Sequence, residues 1–104
     1  MVVSPQILIP WVCTDHEIDL VTPGITAAAL SVCAHAGPEY TLENLEFFIG
    51  SVMETPRACI RSDSIAAAEH VDFVSFGTGE LTQLVFGLSE EDTQQFMVSG
   101  CFCV

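Results

Sequence analysis

The sequence predicts an α/β protein built from consecutive βα units, and three observations carry that prediction. Short apolar runs alternate with helical patterns along the 104 residues. Half the residues are hydrophobic and mean hydropathy is +0.50, more than strands with one wet face require. Acidic residues follow the runs where strands would end. Such alternation argues for parallel strands joined by right-handed crossovers, in an open sheet or as units of a barrel. The length allows one small domain, residues 1–104, and falls short of the ~250 residues of a complete (β/α)8 TIM barrel.

The elements follow in order. "QILIPWV" is a short apolar run bounded by prolines, a strand. Thr14-Asp15-His16-Glu17 has capping-box spacing and should start a helix. A second, alanine-rich helix is expected with Thr22 as N-cap, Pro23 at its first position and Gly37 past its end. Phe47 to Met53 is too continuous in its apolarity for a strand with one wet face, which predicts a strand covered on both faces, ended by Pro56. Ser62 or Asp63 can cap a helix through "SIAAAEH", and "FVSF" is the next strand, closing at Gly77. Leu81, Leu84, Val85 and Leu88 have helical spacing, and Ser89 with Asp92 forms a capping box for a last helix. The expected succession is β, α, α, β, α, β, α, α, with no internal repeat.

Composition excludes several function classes. Fourteen Asp and Glu against two Arg and no Lys give a net charge of −12, so no surface can be assembled to neutralise a phosphate backbone. Nucleic acid is not an expected partner. Five cysteines, irregularly spaced and without a C-x-x-C pair, argue for a reducing, cytosolic setting, with Cys13, Cys33 and Cys59 serving as small buried hydrophobes. Leu20 to Pro38 carries no charged residue, but Pro23, Gly24, Ser31, His35 and Gly37 interrupt it and no basic residues flank it. A core helix is expected, and no membrane. The final Cys-Phe-Cys-Val has the outline of a prenylation box but lacks a usual last residue and a polybasic lead.

Glu54 and Glu80 stand at the ends of successive strands, about one βα unit apart, so adjacent parallel strands would bring them together. Two carboxylates, with Gly77, Thr78 and Gly79 letting backbone approach a ligand, suit Mg²⁺, which takes one or two carboxylates and completes its shell with substrate oxygens. An acid at a βα corner is also often a helix cap, which leaves Glu80 a second reading.

The stretches "GSVMETPRACI" and "FVSFGTGELTQLVFGLSEED" resemble the C-terminal barrel domain of the phosphoenolpyruvate-utilising enzymes, the pyruvate, phosphate dikinase branch in particular; "PQILIPWV" is similar to the preceding strand. The resemblance spans residues 5–96 and is weak between 14 and 46. It implies a (β/α)8 barrel in which two carboxylates hold Mg²⁺ against phosphoenolpyruvate or pyruvate while a phosphohistidine elsewhere exchanges the phosphoryl group. By that resemblance Glu54 and Glu80 are the metal ligands, and Gly77, Thr78 and Gly79 join them around the substrate. The family's Asn-Asp is Gly79-Glu80 here, and one added methylene moves the second carboxylate, an exchange expected to weaken or shift metal binding. Arg57 matches a family arginine in position, and its other reading is a strand-end salt bridge. The family's substrate-gripping arginines, acid cysteine and phosphohistidine have no counterpart in this stretch, so the chain by itself is expected to be inactive. The alternative is a non-catalytic remnant of the barrel that associates with itself or a partner to cover exposed strand edges.

Overall fold

The computed structural model describes residues 4–42 and 44–98. Three strands, β1 (Gln6–Ile9), β2 (Phe48–Met53) and β3 (Phe73–Phe76), form one parallel sheet in the order β1-β2-β3, so β2 is central and the outer sides of β1 and β3 are edges. Between and after them run α1 (Asp15–Ala36), α2 (Pro56–Ile60), α3 (Ser62–Ala66), α4 (Thr78–Phe86) and α5 (Glu90–Val98). The α/β alternation and the parallel pairing are as the sequence predicts. The prenylation outline, Cys101 to Val104, lies outside the described residues.

Register decides which side chains share a face. Ile9 pairs with Ser51, and Ile49 and Met53 flank Ser51 on the same side of β2. This face meets Val12 after β1, Ile18 of α1, Ala58 of α2 and Ile65 of α3 in one buried cluster. Opposite it, Leu8, Gly50 and Phe73 are in register, beside the pair Gln6 and Phe48. That side is only partly covered: Leu8 is 44% and Phe48 41% exposed, and the Phe73 ring lies over Gly50, its nearest atom 2.6 Å from where a Cβ would stand. β2 is therefore fully buried on one face and only in part on the other. Asp72 sets the entry to β3: its N–H donates to Ile49 O, and its carboxylate accepts the Ile49 N–H, each at 2.8 Å.

The two helices expected between β1 and β2 are one, Asp15–Ala36, with Pro23 inside it. Thr22 does not cap a new helix. It is buried, and its hydroxyl donates to Ile18 O (2.8 Å), one turn back, while Thr26 does the same to Thr22 O (3.1 Å). The N-terminal signal holds: the Glu17 carboxylate reaches back to accept the N–H groups of Cys13 (2.6 Å) and Thr14 (3.0 Å). α1 is long and apolar enough to cross a membrane by length and composition. Ile18, Thr22 and Cys33 are its buried residues, and Leu20 (80%) and Val32 (63%) are exposed, so it is less enclosed than a core helix. An apolar cleft of about 370 Å³ lies between its Ile25, Ala29 and Val32 and the N-terminal strand ends at Ile7 and Phe47.

Pro56 does more than end β2. It opens α2 at the first helical position, capped by Thr55, whose hydroxyl accepts the Ala58 N–H at 3.1 Å. α3 starts at Ser62 with Arg61 before it and stops at Ala66, shorter than "SIAAAEH" suggested. Of the three described cysteines, Cys33 is buried, Cys13 half-buried and Cys59 exposed. Cys59 misses the core because Ala58 is the α2 residue turned into it. The Cα radius of gyration, 17.7 Å, exceeds the ~13 Å of a compact domain of this length, in keeping with a sheet fully covered on one side only.

The start of α1 makes stability depend on pH. Hydrogen bonds from the Cys13 and Thr14 amides hold the Glu17 carboxyl below its ordinary 4.5. The Arg61 guanidinium, 2.8 Å from Asp15 Oδ1, holds Asp15 below its ordinary 3.8. Folded-state values that are depressed add stability above the unfolded values, and that stability is lost as pH falls through the folded ones. The thermal midpoint should therefore drop as pH is lowered past 4.5, and the drop should shrink in Glu17→Gln; equal acid sensitivity in the two proteins would show that Glu17 is not responsible.

Candidate functional site: the carboxylate corner

The C-terminal ends of the three strands converge. After β1, Trp11 adopts a left-handed backbone with φ 58°. For a bulky aromatic residue this costs on the order of 1–2 kcal/mol. The turn aims the Trp11 N–H at Glu54 Oε1, 2.6 Å away. Glu54 itself follows β2 directly and is 7% exposed, so this buried carboxylate is oriented by the backbone of the neighbouring strand's loop.

Thr55 ties the same two loops together. Its hydroxyl donates to Val12 O (3.2 Å) while accepting from Ala58, and it lies 3.5 Å from Cys13 Sγ. After β3, the Gly77 N–H donates to Met53 O (3.1 Å), which brings the start of α4 against the end of β2. At Gly77 a Cβ would stand 2.6 Å from Glu54 Cβ, 2.9 Å from Glu54 Oε2 and 3.1 Å from Glu80 Oε2. Only glycine permits this approach, for steric reasons; its φ of −92° is ordinary.

Those two distances place Glu54 Oε2 and Glu80 Oε2 no more than about 6 Å apart. One Mg²⁺, bonding oxygen at about 2.1 Å, takes ligand oxygens ~3–4 Å apart, inside that limit. Glu80 lies in the first turn of α4, and its extra methylene lets the carboxylate fold back over Gly77. Thr78 and Gly79 open the same turn and are exposed; a Cβ at Gly79 would meet nothing within 4 Å. Glu54, Gly77 and Glu80 are thus gathered at one point, with Thr78 and Gly79 at its rim. Among the described residues no three His, Cys, Asp or Glu side chains come together to cage a metal. Two hard oxygen donors with the other positions left to ligand is the set Mg²⁺ takes, so the residues fit that ion.

Arg57 is exposed on α2, and its charge helps keep Glu17 ionised. Among the described residues the ion pair is Arg61 with Asp15, so the expected strand-end salt bridge of Arg57 is not formed there. Sequence reasoning missed Trp11 and Thr55. Thr55-Pro56 carries the N-cap and first-position signal in plain view; the left-handed turn of Trp11 has no signal in residue type.

Parallel strands whose C-terminal ends gather two carboxylates around a glycine define a βα-repeat protein with an acidic strand-end corner. The chain belongs to the family described as "PEP-utilising enzyme, PEP-binding domain", whose sequence profile matches residues 1–101. Its curated relatives include pyruvate, phosphate dikinase of Rhizobium meliloti (strain 1021), 41% identical over 93% of this chain, and that of Giardia intestinalis, 33% identical over 91%. The chloroplastic pyruvate, phosphate dikinase 1 of Zea mays is 36% identical over 91%. The chain spans about a tenth of the length of these relatives: 10%, 10% and 9%.

Proposed function

We propose that this chain supplies the Mg²⁺ and phosphoenolpyruvate or pyruvate binding corner of a dikinase-type (β/α)8 barrel, of which it forms consecutive βα units. The observation that carries the reading is the meeting of Glu54 and Glu80 at Gly77. Glu54 Oε2 and Glu80 Oε2 hold the ion; the backbone of Gly77, Thr78 and Gly79 borders the ligand. When bound, Mg²⁺ would neutralise charge on phosphate or carboxylate oxygens. The chain's own residues orient and bind. The phosphohistidine and acid cysteine that the family resemblance calls for have no match in this chain, so the chain alone does not turn over. Calorimetry tests the reading. Mg²⁺ or Mn²⁺ should bind weakly, and oxalate, a bidentate mimic of pyruvate's enolate, should tighten that binding; no heat, or heat unchanged in Glu54→Ala, removes the site.

A second reading, a remnant that associates with itself or a partner, is favoured by one observation: the two strand edges and the partly open face with Leu8 and Phe48. Light scattering at several concentrations should show mass above the monomer, or else binding of a hydrophobic dye. A monomer that binds no dye at micromolar concentration overturns both this reading and that of an incomplete barrel.

A further inference from the structure

Glu54 has two oxygens in different surroundings. Oε1 accepts the Trp11 N–H at 2.6 Å, and Oε2 is turned to Gly77, where Glu80 Oε2 also points. The donor is a backbone amide held between two anchors, β1 before it and buried Val12 after it, whose carbonyl accepts from Thr55. The left-handed φ at Trp11 is what lets the chain join them with this peptide plane facing Glu54. The indole is 57% exposed, so burial of the side chain does not explain why the strain is kept. We propose that Trp11 is a positioning residue: its amide clamps Glu54 Oε1, fixing the carboxylate so that Oε2 is the oxygen offered to a cation shared with Glu80. The inference rests on the metal reading for its purpose, and the clamp itself is measurable without metal.

The backbone requirement makes the test selective. Asparagine tolerates the left-handed region, whereas valine, branched at Cβ, is strongly disfavoured in it, so the loop between β1 and buried Val12 would have to shift and carry the amide off Glu54. In the full chain, the residue-11 amide proton should resonate well downfield of ordinary amides, stay there in Trp11→Asn, and move upfield in Trp11→Val and Glu54→Ala. Mn²⁺ affinity measured by calorimetry should fall by about tenfold or more in Trp11→Val and change little in Trp11→Asn, the range seen when a partner orienting a metal ligand is lost. If Trp11→Val fails to fold, an ester in place of the Trp11 amide removes the N–H and keeps every side chain. Equal shifts and affinities in the two variants, or an amide unmoved by Glu54→Ala, overturn the proposal. The expected amide pattern in a chain that binds no Mn²⁺ upholds the clamp and overturns the metal reading alone.

Discussion

Gly77→Ala should destabilise the protein by about 1–3 kcal/mol, as forced overpacking does, and should abolish oxalate-enhanced metal binding. The new methyl would stand 2.6 Å from Glu54 Cβ. That atom is anchored to the backbone at the end of the central strand, so it cannot retreat as the tip of a long side chain could. The same methyl stands 2.9 Å from Glu54 Oε2 and 3.1 Å from Glu80 Oε2, in the space a shared ion needs. Gly79→Ala is the control two residues on. Nothing lies within 4 Å of its Cβ, and alanine inside α4 should stabilise by about 0.5–1 kcal/mol. Urea denaturation of the two variants gives opposite shifts if the close approach is real, and matching shifts if it is not.

Ile18→Ala should cost about 2–5 kcal/mol, a large part of the ~5–15 kcal/mol available to a small domain. Ile18 has no exposed surface and joins α1 to the cluster of Ile9, Val12, Ile49, Met53, Ala58 and Ile65. α1 exposes most of its other apolar side chains, so few contacts elsewhere on the helix can compensate. Exposed Leu20, two residues along the same helix, should be replaceable by alanine at little cost. A comparable loss of denaturation midpoint at both positions would show that α1 docks through a different face.

The element order and parallel pairing were legible because each strand is a short apolar run between turn residues, a signal local to the run. Helix boundaries were less so, and the two Thr-Pro pairs show why. At Thr55-Pro56 a strand has just ended, so the threonine hydroxyl is free to cap Ala58. At Thr22-Pro23 a helix is already running from Asp15, and the hydroxyl bonds back to Ile18 O. Identical residues take opposite roles according to what precedes them. Glu54 and Glu80 could be found from their positions after strands. The clamp from Trp11 could not, because a left-handed φ in an aromatic residue is imposed by the surrounding loops. The partly open second face of β2 was also hidden: a run this apolar states that burial is wanted on two sides, and within these residues only one is fully covered.

The central claim is that Glu54 and Glu80 act on a single cation, and a double-mutant cycle read by Mn²⁺ binding in the presence of oxalate tests it most directly. Glu54→Gln, Glu80→Gln and the double variant, each checked for native circular dichroism, are titrated by electron paramagnetic resonance of free Mn²⁺. Ligands of one ion are coupled, so the double variant should bind scarcely more weakly than the weaker single variant. Losses that add in full, or a Glu80→Gln protein that binds as the unaltered chain does, would contradict a shared site.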